Sequence, residues 1–252
     1  RAEVIGSYQL PFQEKLMLSF SGNVHFQDSR YGTTSYIANQ KIGFLQLTWD
    51  KKIGNHDLLT GIATRYNYYD DNTPATSKLG NNNPEKTWLP GIFVQDEITF
   101  TEKHKLLLGI RYDYNSFHGS ILTPRIAYKW KLDDNNIIRL NAGTGFRVVN
   151  LFTEDHAALT GAREIVIANN LKPEQSINAN LNYIKKINFD NGTFIGIETS
   201  FFHTRFSNKI VSDYDTDPNQ IIYDNINGYA ISQGISTNID FNFPNGLKII
   251  TG

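Results

Sequence analysis

The chain has 252 residues, a formal net charge of −1 and a sequence pI near 6.7, so it lacks the strongly basic balance of a nucleic-acid-binding protein. It contains no cysteine, which excludes a disulfide framework and a thiolate metal site. No stretch approaches the roughly 18 consecutive apolar residues of a membrane-spanning helix. Any crossing of a membrane would therefore require strands.

The first long element lies at residues 15–27, where hydrophobicity alternates at every position. The even positions are mostly apolar: Leu16, Leu18, Phe20, Gly22, Val24 and Phe26. The odd positions are mostly polar: Lys15, Met17, Ser19, Ser21, Asn23, His25 and Gln27. A period of two predicts a β-strand with one apolar and one polar face. The run is about twice as long as a soluble strand of roughly 5–6 residues, and it exceeds the roughly 9–11 residues that cross a bilayer.

The same alternation returns in four further segments, at residues 106–115, 138–147, 176–183 and 229–241. In each segment one face is apolar, whereas the other carries charges, amides and glycines. An apolar face suits lipid and a polar face suits an aqueous interior, as in a transmembrane barrel. A soluble antiparallel sheet shows the same alternation, with its apolar face toward a core.

The connections between the strands distinguish these interpretations, because they alternate between short and long. Short turns are predicted at residues 11–14, 53–55, 101–104, 133–135, 188–192 and 243–246. The other connections are predicted at residues 28–39, 71–86, 117–120, 147–175 and 207–227, and all but one are long. Outer-membrane barrels have short periplasmic turns and longer extracellular loops, an asymmetry that a soluble sandwich does not need. The sequence therefore predicts an all-β, antiparallel up-and-down transmembrane β-barrel with about 12 strands in this chain.

Six segments in order along the chain resemble the TonB-dependent outer-membrane receptors. They are FVQDEITF (93–100), LGIRYDYN (108–115), LTPRIAYKWKLDDNNIIRLNAGTGFRVVNLF (122–152), LKPE (171–174), FFHTRFSNKIV (201–211) and YDNINGYAISQGIS (223–236). Val148 and Val149 stand where the family usually has Ala-Pro. The resemblance extends over nearly the whole chain.

The resemblance implies that residues 1–252 are part of a single barrel domain of about 22 strands, with the plug domain and the terminal strands absent. It also implies a location in the outer membrane of a Gram-negative bacterium, in contact with outer-membrane lipid. The implied function is TonB-dependent uptake of a scarce nutrient such as a ferric siderophore or cobalamin, with TonB acting through the missing plug. No cofactor and no resident metal are expected.

Two long loops hold the residues that we expect to contact a ligand. The candidates in the loop at residues 147–175 are Arg147, Asp155, His156 and Arg163. The candidates in the loop at residues 207–227 are Asp213, Tyr214, Asp215 and Asp217. Their charges could form charge-assisted hydrogen bonds with a chelate, although Arg147 could instead pair with Glu174. The acidic spacing begins like a calcium loop, but Pro218 stands where such a loop needs glycine.

The first of these loops also carries apolar residues, such as Ile165, so we expect it to fold back onto other segments. A short helix is predicted at residues 154–159, with Thr153 as its N-cap. The polar faces of the strands carry a band of charged residues, which we expect to face the plug or the water of the lumen: Arg65, Arg111, Asp113, Arg125 and Arg139.

Three other functions stay open. A passive porin would share the strands but would have no plug, and a soluble β-sandwich or barrel would serve as a binding module. A barrel enzyme would need a nucleophile, a base and an orienting group on one rim. The six histidines are scattered along the chain and no HExxH motif is present, so no enzymatic activity is expected.

Overall fold

A computed structural model of the chain describes residues 1–78, 80–148, 163–167 and 171–252. Twelve strands form one antiparallel sheet, called the wall here, and they lie side by side in the order in which they occur along the chain. They are β1 (Ala2–Gln9), β2 (Lys15–Tyr31), β3 (Thr34–Ile53), β4 (His56–Asp71), β7 (Glu85–Thr99), β8 (His104–Asn115), β9 (Gly119–Lys131), β10 (Asn136–Arg147), β12 (Glu174–Asn188), β13 (Phe194–Ser207), β16 (Tyr229–Asn242) and β17 (Lys248–Thr251). The predicted up-and-down topology and strand number are confirmed.

The remaining strands belong to the long connections. They are β5 (Ser77–Lys78), β6 (Asn81–Asn82), β11 (Glu164–Ile167), β14 (Ile210–Asp213) and β15 (Gln220–Asn225). β5 pairs with β6, whereas β11, β15 and β14 form a three-stranded sheet, called the loop sheet here. The long connections therefore have secondary structure of their own.

The register places apolar side chains opposite one another on one face of the wall. Leu47 of β3 lies opposite Leu18 of β2 and Ile62 of β4, and Ile62 lies opposite Ile92 of β7. Paired residues of antiparallel strands share a face, so these side chains form one continuous row. Ile62 and Ile92 are each 58% exposed, and Ile235 of β16 is 67% exposed. An exposed apolar surface of this extent fits lipid rather than water.

The opposite face of the wall is polar and concave. Arg65 of β4, Glu85 of β7 and Arg147 of β10 line one cavity, although three strands separate β4 from β10 in the sheet. Side chains from such distant strands meet only on the inner side of a curved wall. Arg111 and Arg125 line a second cavity on this face. The charged residues thus share the concave face, and the apolar band lies on the opposite face.

Aromatic residues border the apolar band near both edges of the wall. Near the short turns, the indole Nε1 of Trp49 donates a hydrogen bond of 3.0 Å to Glu14 Oε2. Near the long loops, the rings of Tyr66 and Trp88 lie 5.8 Å apart, centroid to centroid. Amphipathic rings at both edges match the two interfacial girdles of a membrane barrel.

The six short turns are confirmed, but the long loop predicted at residues 28–39 is wrong. β2 and β3 meet at a two-residue turn, Gly32 and Thr33, and extend for 17 and 20 residues. Gly32 has φ 63°, a backbone conformation that glycine adopts without steric cost. The alternation was missed because outward positions such as Asp28 and Arg30 are polar. This is expected where a hairpin projects beyond the lipid.

The loop sheet is built from two separate connections and packs against a distant part of the wall. β11 follows β10, whereas β14 and β15 follow β13, and β11 runs parallel to β15. Ile221 and Tyr223 of β15 join Tyr36 of β3 and Tyr69 of β4 in one buried cluster. The loop sheet thus connects the β10–β13 side of the wall with β3 and β4.

The fold-back predicted for the loop at residues 147–175 is confirmed in its described part, because Ile165 packs against this cluster. The helix predicted at residues 154–159 lies outside the described residues. A 3-10 turn at Pro74–Thr76 follows β4. In the described part of the chain, no helix is long and apolar enough to cross a membrane.

Candidate functional site

A polar cavity of about 340 Å³ lies on the concave face, where the wall strands reach the long loops. We call it the mouth cavity. Its polar lining includes Gln40, Arg65, Asn67, Glu85, Asn115 and Arg147. Guanidinium and amide groups donate hydrogen bonds, so this lining suits a ligand rich in oxygen acceptors.

Arg147 lines the mouth cavity and also joins the two ends of the loop at residues 147–175. Its Nε and Nη2 atoms donate hydrogen bonds of 3.0 and 2.8 Å to Glu174 Oε2. The other carboxylate oxygen of Glu174 accepts a bond of 3.0 Å from the backbone N–H of Ile210. The Glu174 side chain is only 6% exposed, so the pair lies partly inside the protein. The structural pairing of Arg147 with Glu174 is therefore confirmed, and it leaves Arg147 on the cavity wall.

Arg65 differs from Arg147, because no described carboxylate lies within ion-pair distance of its guanidinium. Among the described residues that line this cavity, Glu85 is the acidic one. Near it, burial lowers the pKa of His118, in the turn after β8, while the negative charge of Glu85 acts in the opposite direction. Arg65 is thus a cationic residue of the cavity lining that has no described carboxylate within ion-pair distance.

Arg163 and Tyr214 come from different loops and contact each other. Arg163 Nη1 donates a hydrogen bond of 2.9 Å to the backbone oxygen of Tyr214, and its guanidinium lies 5.9 Å from the centre of the Tyr214 ring. The backbone N–H of Glu164 donates to the oxygen of Asn219 at 2.8 Å, which adds a second link between the same loops. These contacts hold the two loops together above the wall.

The acidic residues of the loop at residues 207–227 organise their own turn. Asp213 accepts bonds from the backbone N–H groups of Asp215 and Thr216 and from the Thr216 hydroxyl, at 2.5–3.0 Å. These bonds, the hydroxyl first, hold the pKa of Asp213 below its usual value. Asp217 accepts a bond of 2.8 Å from the backbone N–H of Asn219. Asp155 and His156 lie outside the described residues.

The charged residues deeper in the wall form a separate group. Arg111 donates bonds of 2.7 and 2.6 Å to the two oxygens of Asp113, which is 1% exposed. Arg111 also lies over the ring of Phe93, at 5.6 Å. Arg125 lines a cavity of about 300 Å³ with Arg111, whereas Arg139 lies between Lys129 and Asn182 in the register. All of them belong to the concave face.

Residues 6–251 match a family described as TonB dependent receptor-like, beta-barrel. The match covers nearly the whole chain. This chain belongs to the TonB-dependent receptor family. As a member of that family it is an outer-membrane β-barrel protein, with its short turns in the periplasm and its long loops outside the cell. The mouth cavity and the loop sheet therefore lie at the extracellular end of the receptor wall.

One curated relative is the iron-regulated outer membrane virulence protein of Vibrio cholerae serotype O1. It is 29% identical over 160 residues, which cover 63% of this chain and 24% of the relative. The receptor chain thus spans about a quarter of the length of the curated relatives that it matches.

Three solved structures share the fold. The ferric enterobactin receptor PfeA of Pseudomonas aeruginosa aligns with a TM-score of 0.65 at 15% identity, covering 98% of this chain and 41% of PfeA. The siderophore receptor PirA of Pseudomonas aeruginosa aligns at 0.62 and 17%, covering 94% of this chain and 52% of PirA. The copper transporter OprC aligns at 0.67 and 11%, covering 98% and 43%. Identities this low support the fold, and the fold alone does not select a cargo.

The sequence did not single out a buried network that supports the extracellular mouth of the receptor. The hydroxyls of Tyr36 and Tyr69 lie 2.6 Å apart, and Tyr69 donates a bond of 2.7 Å to Asp71 Oδ2. Asp71 Oδ1 accepts bonds from the backbone and hydroxyl of Thr73 and from the hydroxyl of Thr76. The signal available in the sequence was that Tyr69 and Asp71, two residues apart at the end of β4, are polar residues on the same face of the strand.

Proposed function

We propose that this chain forms part of the wall and the extracellular mouth of a receptor that takes up an anionic ferric chelate of the siderophore type. In this proposal residues 1–252 belong to one barrel domain of about 22 strands, and a plug domain outside the chain closes the lumen. The observation that carries it is the mouth cavity, which Arg65 and Arg147 both line and in which no described carboxylate lies within ion-pair distance of Arg65. The iron-regulated relative from Vibrio cholerae supports iron as the cargo.

The proposed mechanism is capture followed by release, with no covalent step. The candidate loop residues Arg163, Asp213, Tyr214, Asp215 and Asp217, together with Asp155 and His156, would form the first contacts. The ligand would then reach Arg65 and Arg147, whose guanidinium groups can hold carboxylate or catecholate oxygens. TonB would remodel the plug, and the ligand would move along the inner face past Arg111, Arg125 and Arg139.

Growth on single nutrient sources tests the cargo. A strain without the full-length gene, starved of iron, is supplied with ferric catecholate, ferric hydroxamate, haem or ferric citrate in separate cultures, and with cobalamin in a cobalamin-dependent background. We expect the deletion to abolish growth on one ferric chelate and to leave growth on cobalamin unchanged. Loss of growth on cobalamin alone, or no loss on any ferric chelate, would contradict the proposal.

The role of Arg65 is tested by producing receptor variants in the deletion strain and measuring how tightly they bind the ferric chelate that the growth experiment identifies. We expect Arg65→Gln to weaken binding about 10- to 100-fold, because a charge-assisted hydrogen bond contributes roughly 1.5–3 kcal/mol. Lys103→Gln, in a periplasmic turn, is the matched control and should bind like the wild type. Equal binding by Arg65→Gln and wild type would remove the mouth cavity from the site.

A passive porin is the alternative that the wall strands alone also allow. Uptake of the chelate is therefore measured with and without TonB in cells that contain the wild-type receptor. We expect uptake to stop without TonB, whereas a porin would continue to pass its solute. Persistent uptake at the wild-type rate would favour the porin.

A further inference from the structure

Two lysines and a tyrosine form a row on the outward face of the wall near its extracellular edge. Lys41 of β3 lies opposite Tyr68 of β4, and Tyr68 lies opposite Lys86 of β7. Paired residues of antiparallel strands share a face, so the three side chains stand side by side. We call them the rim row.

The rim row stands directly above the aromatic girdle. Tyr66 and Trp88, the next outward residues toward the membrane on β4 and β7, are in ring contact at 5.8 Å. Ile62 and Ile92 of the apolar band follow further along the same strands. Girdle residues mark the boundary between hydrocarbon and head groups. The two lysines are therefore at the level of the lipid head groups.

Neither lysine of the rim row is neutralised within the described protein. Lys41 Nζ lies 5.4 Å from the centre of the Tyr68 ring, and both lysines are exposed. No described carboxylate lies within ion-pair distance of either ammonium group. Asp70, one outward position beyond Tyr68, accepts hydrogen bonds from Tyr68 at 3.2 Å and from Asn82 at 3.3 Å. It supports the tyrosine rather than pairing with a lysine.

A second cation of the same kind stands on another part of the outward face. Arg205 of β13 lies 4.4 Å from the centre of the Tyr229 ring on β16, close to the extracellular end of both strands. Its register partners on either side are Ile177 and Ile231, both apolar. Arg205 also has no described carboxylate partner. Unpaired cations beside rings thus recur at this edge of the wall.

We propose that the rim row binds the phosphate group of a phosphorylated lipid in the outer leaflet of the outer membrane. At the level of the girdle the outward face contacts lipid, so head-group phosphates are anions within reach of Lys41 and Lys86. A lysine ammonium is a point charge suited to phosphate oxygens, and two of them across three strands can hold one phosphate between them. Tyr68 supplies a ring and a hydroxyl between the two charges. The inference does not depend on the proposed cargo.

The test uses the full-length receptor in detergent, with bound lipid measured by native mass spectrometry. The probe is diphosphorylated lipid A, compared with the same lipid after enzymatic removal of its phosphates and with inorganic phosphate. We expect Lys41→Gln/Lys86→Gln to bind diphosphorylated lipid A about 30-fold more weakly than the wild type, since each of the two basic residues near a charged surface contributes roughly 1 kcal/mol. The dephosphorylated lipid should not distinguish the two proteins.

The matched control removes two charges from the outward face at the periplasmic edge. Lys51→Gln/Lys185→Gln should bind the diphosphorylated lipid like the wild type. The proposal would be overturned by an equal loss of affinity in this control or by an unchanged affinity in Lys41→Gln/Lys86→Gln. It would also be overturned if inorganic phosphate competed with an affinity equal to that of the lipid. If the double glutamine variant does not fold, Lys41→Arg/Lys86→Arg and each single glutamine variant take its place. The arginine variant should retain binding, and each single variant should lose part of it.

Discussion

At the scale of single residues, Glu174 has the most consequential position at the mouth. One carboxylate oxygen accepts both bonds from Arg147, and the other accepts the backbone N–H of Ile210. A single buried carboxylate therefore joins β10, the start of β12 and the loop sheet. Leaving buried donors without their acceptor is costly in free energy. A change of the Glu174 side chain should therefore loosen the loops that it joins.

We expect Glu174→Gln to expose the extracellular loops. The substitution keeps the shape but replaces charge-assisted bonds worth roughly 1.5–3 kcal/mol with weaker ones. Proteinase K added to intact cells should cleave the loops about tenfold faster or more. Glu97→Gln is the control, because its ion pair with Lys105 is more exposed, with both side chains 37% accessible. Equal cleavage rates for Glu174→Gln and wild type would contradict the role of Glu174.

The position of Gly91 has no room for a side chain. A Cβ placed there would overlap Asp113 Oδ1 and lie 3.0 Å from Arg111 Nη2. We expect Gly91→Ala to lower the yield of folded barrel, because overpacking costs roughly 1–3 kcal/mol. Gly43→Ala is the control, since nothing lies within 4 Å of its added Cβ. The heat-modifiable gel shift of the full-length protein measures both, and a normal shift for Gly91→Ala would show that Asp113 can move.

At the scale of elements, the loop sheet is the feature that shapes the extracellular end. Its strands come from two connections, and its apolar side packs onto lumen-facing residues of β3 and β4. The mouth is therefore bounded by a folded element rather than by independent loops. Its stability depends on a small number of buried side chains.

We expect Ile221→Ala to loosen the loop sheet. Ile221 is 3% exposed, and truncating a buried isoleucine costs roughly 2–5 kcal/mol. Hydrogen exchange of β11, β14 and β15 should become faster, while exchange of the wall strands stays unchanged. Val211→Ala, on β14 but 40% exposed, should have little effect. Unchanged exchange in Ile221→Ala would indicate that the cluster with Tyr36 and Tyr69 does not hold the sheet.

At the scale of the whole molecule, the two faces of the wall meet different solvents. The outward face carries exposed isoleucines along successive strands, and the inward face carries arginines and polar cavities. Because the hydrocarbon offers no hydrogen bonds, charge at that depth is tolerated on the inward face only, and the outward cations lie near the two edges of the wall. This difference determines which face of the wall contacts the lipid and which face lines the lumen.

We expect Ile235→Arg and its neighbour Ser236→Arg to have opposite outcomes. Ile235 lies midway along β16 on the outward face, where an arginine costs roughly 2–4 kcal/mol in the lipid. Ser236 faces the lumen, where water accepts the charge. Outer-membrane fractionation and the heat-modifiable gel shift should show less assembled Ile235→Arg and normal amounts of Ser236→Arg. The same defect in both variants, or in Ser236→Arg alone, would contradict the assignment of the faces.

The site was predictable in part. Arg147 and Glu174 were paired correctly from the sequence because they frame one loop, and Arg65 was placed on the inward face by alternation alone. The contact of Arg163 with Tyr214 was not predicted, since the two residues lie in different loops and no local pattern relates them. The network of Tyr36, Tyr69 and Asp71 was missed because alternation relates only Tyr69 and Asp71, whereas Tyr36 joins them from another strand.

Local periodicity determined the strands, the assignment of their two faces and the positions of the short turns, because the pleat of a strand repeats every two residues wherever the strand is located. The sequence also contains, separately from this periodicity, the six segments that resemble the family. Only the tertiary structure decided that the β2–β3 hairpin continues beyond the membrane and that the loop sheet packs across to β3 and β4. These features depend on contacts between residues far apart in the chain, such as Tyr36 with Tyr223, and no short-range pattern encodes such a contact.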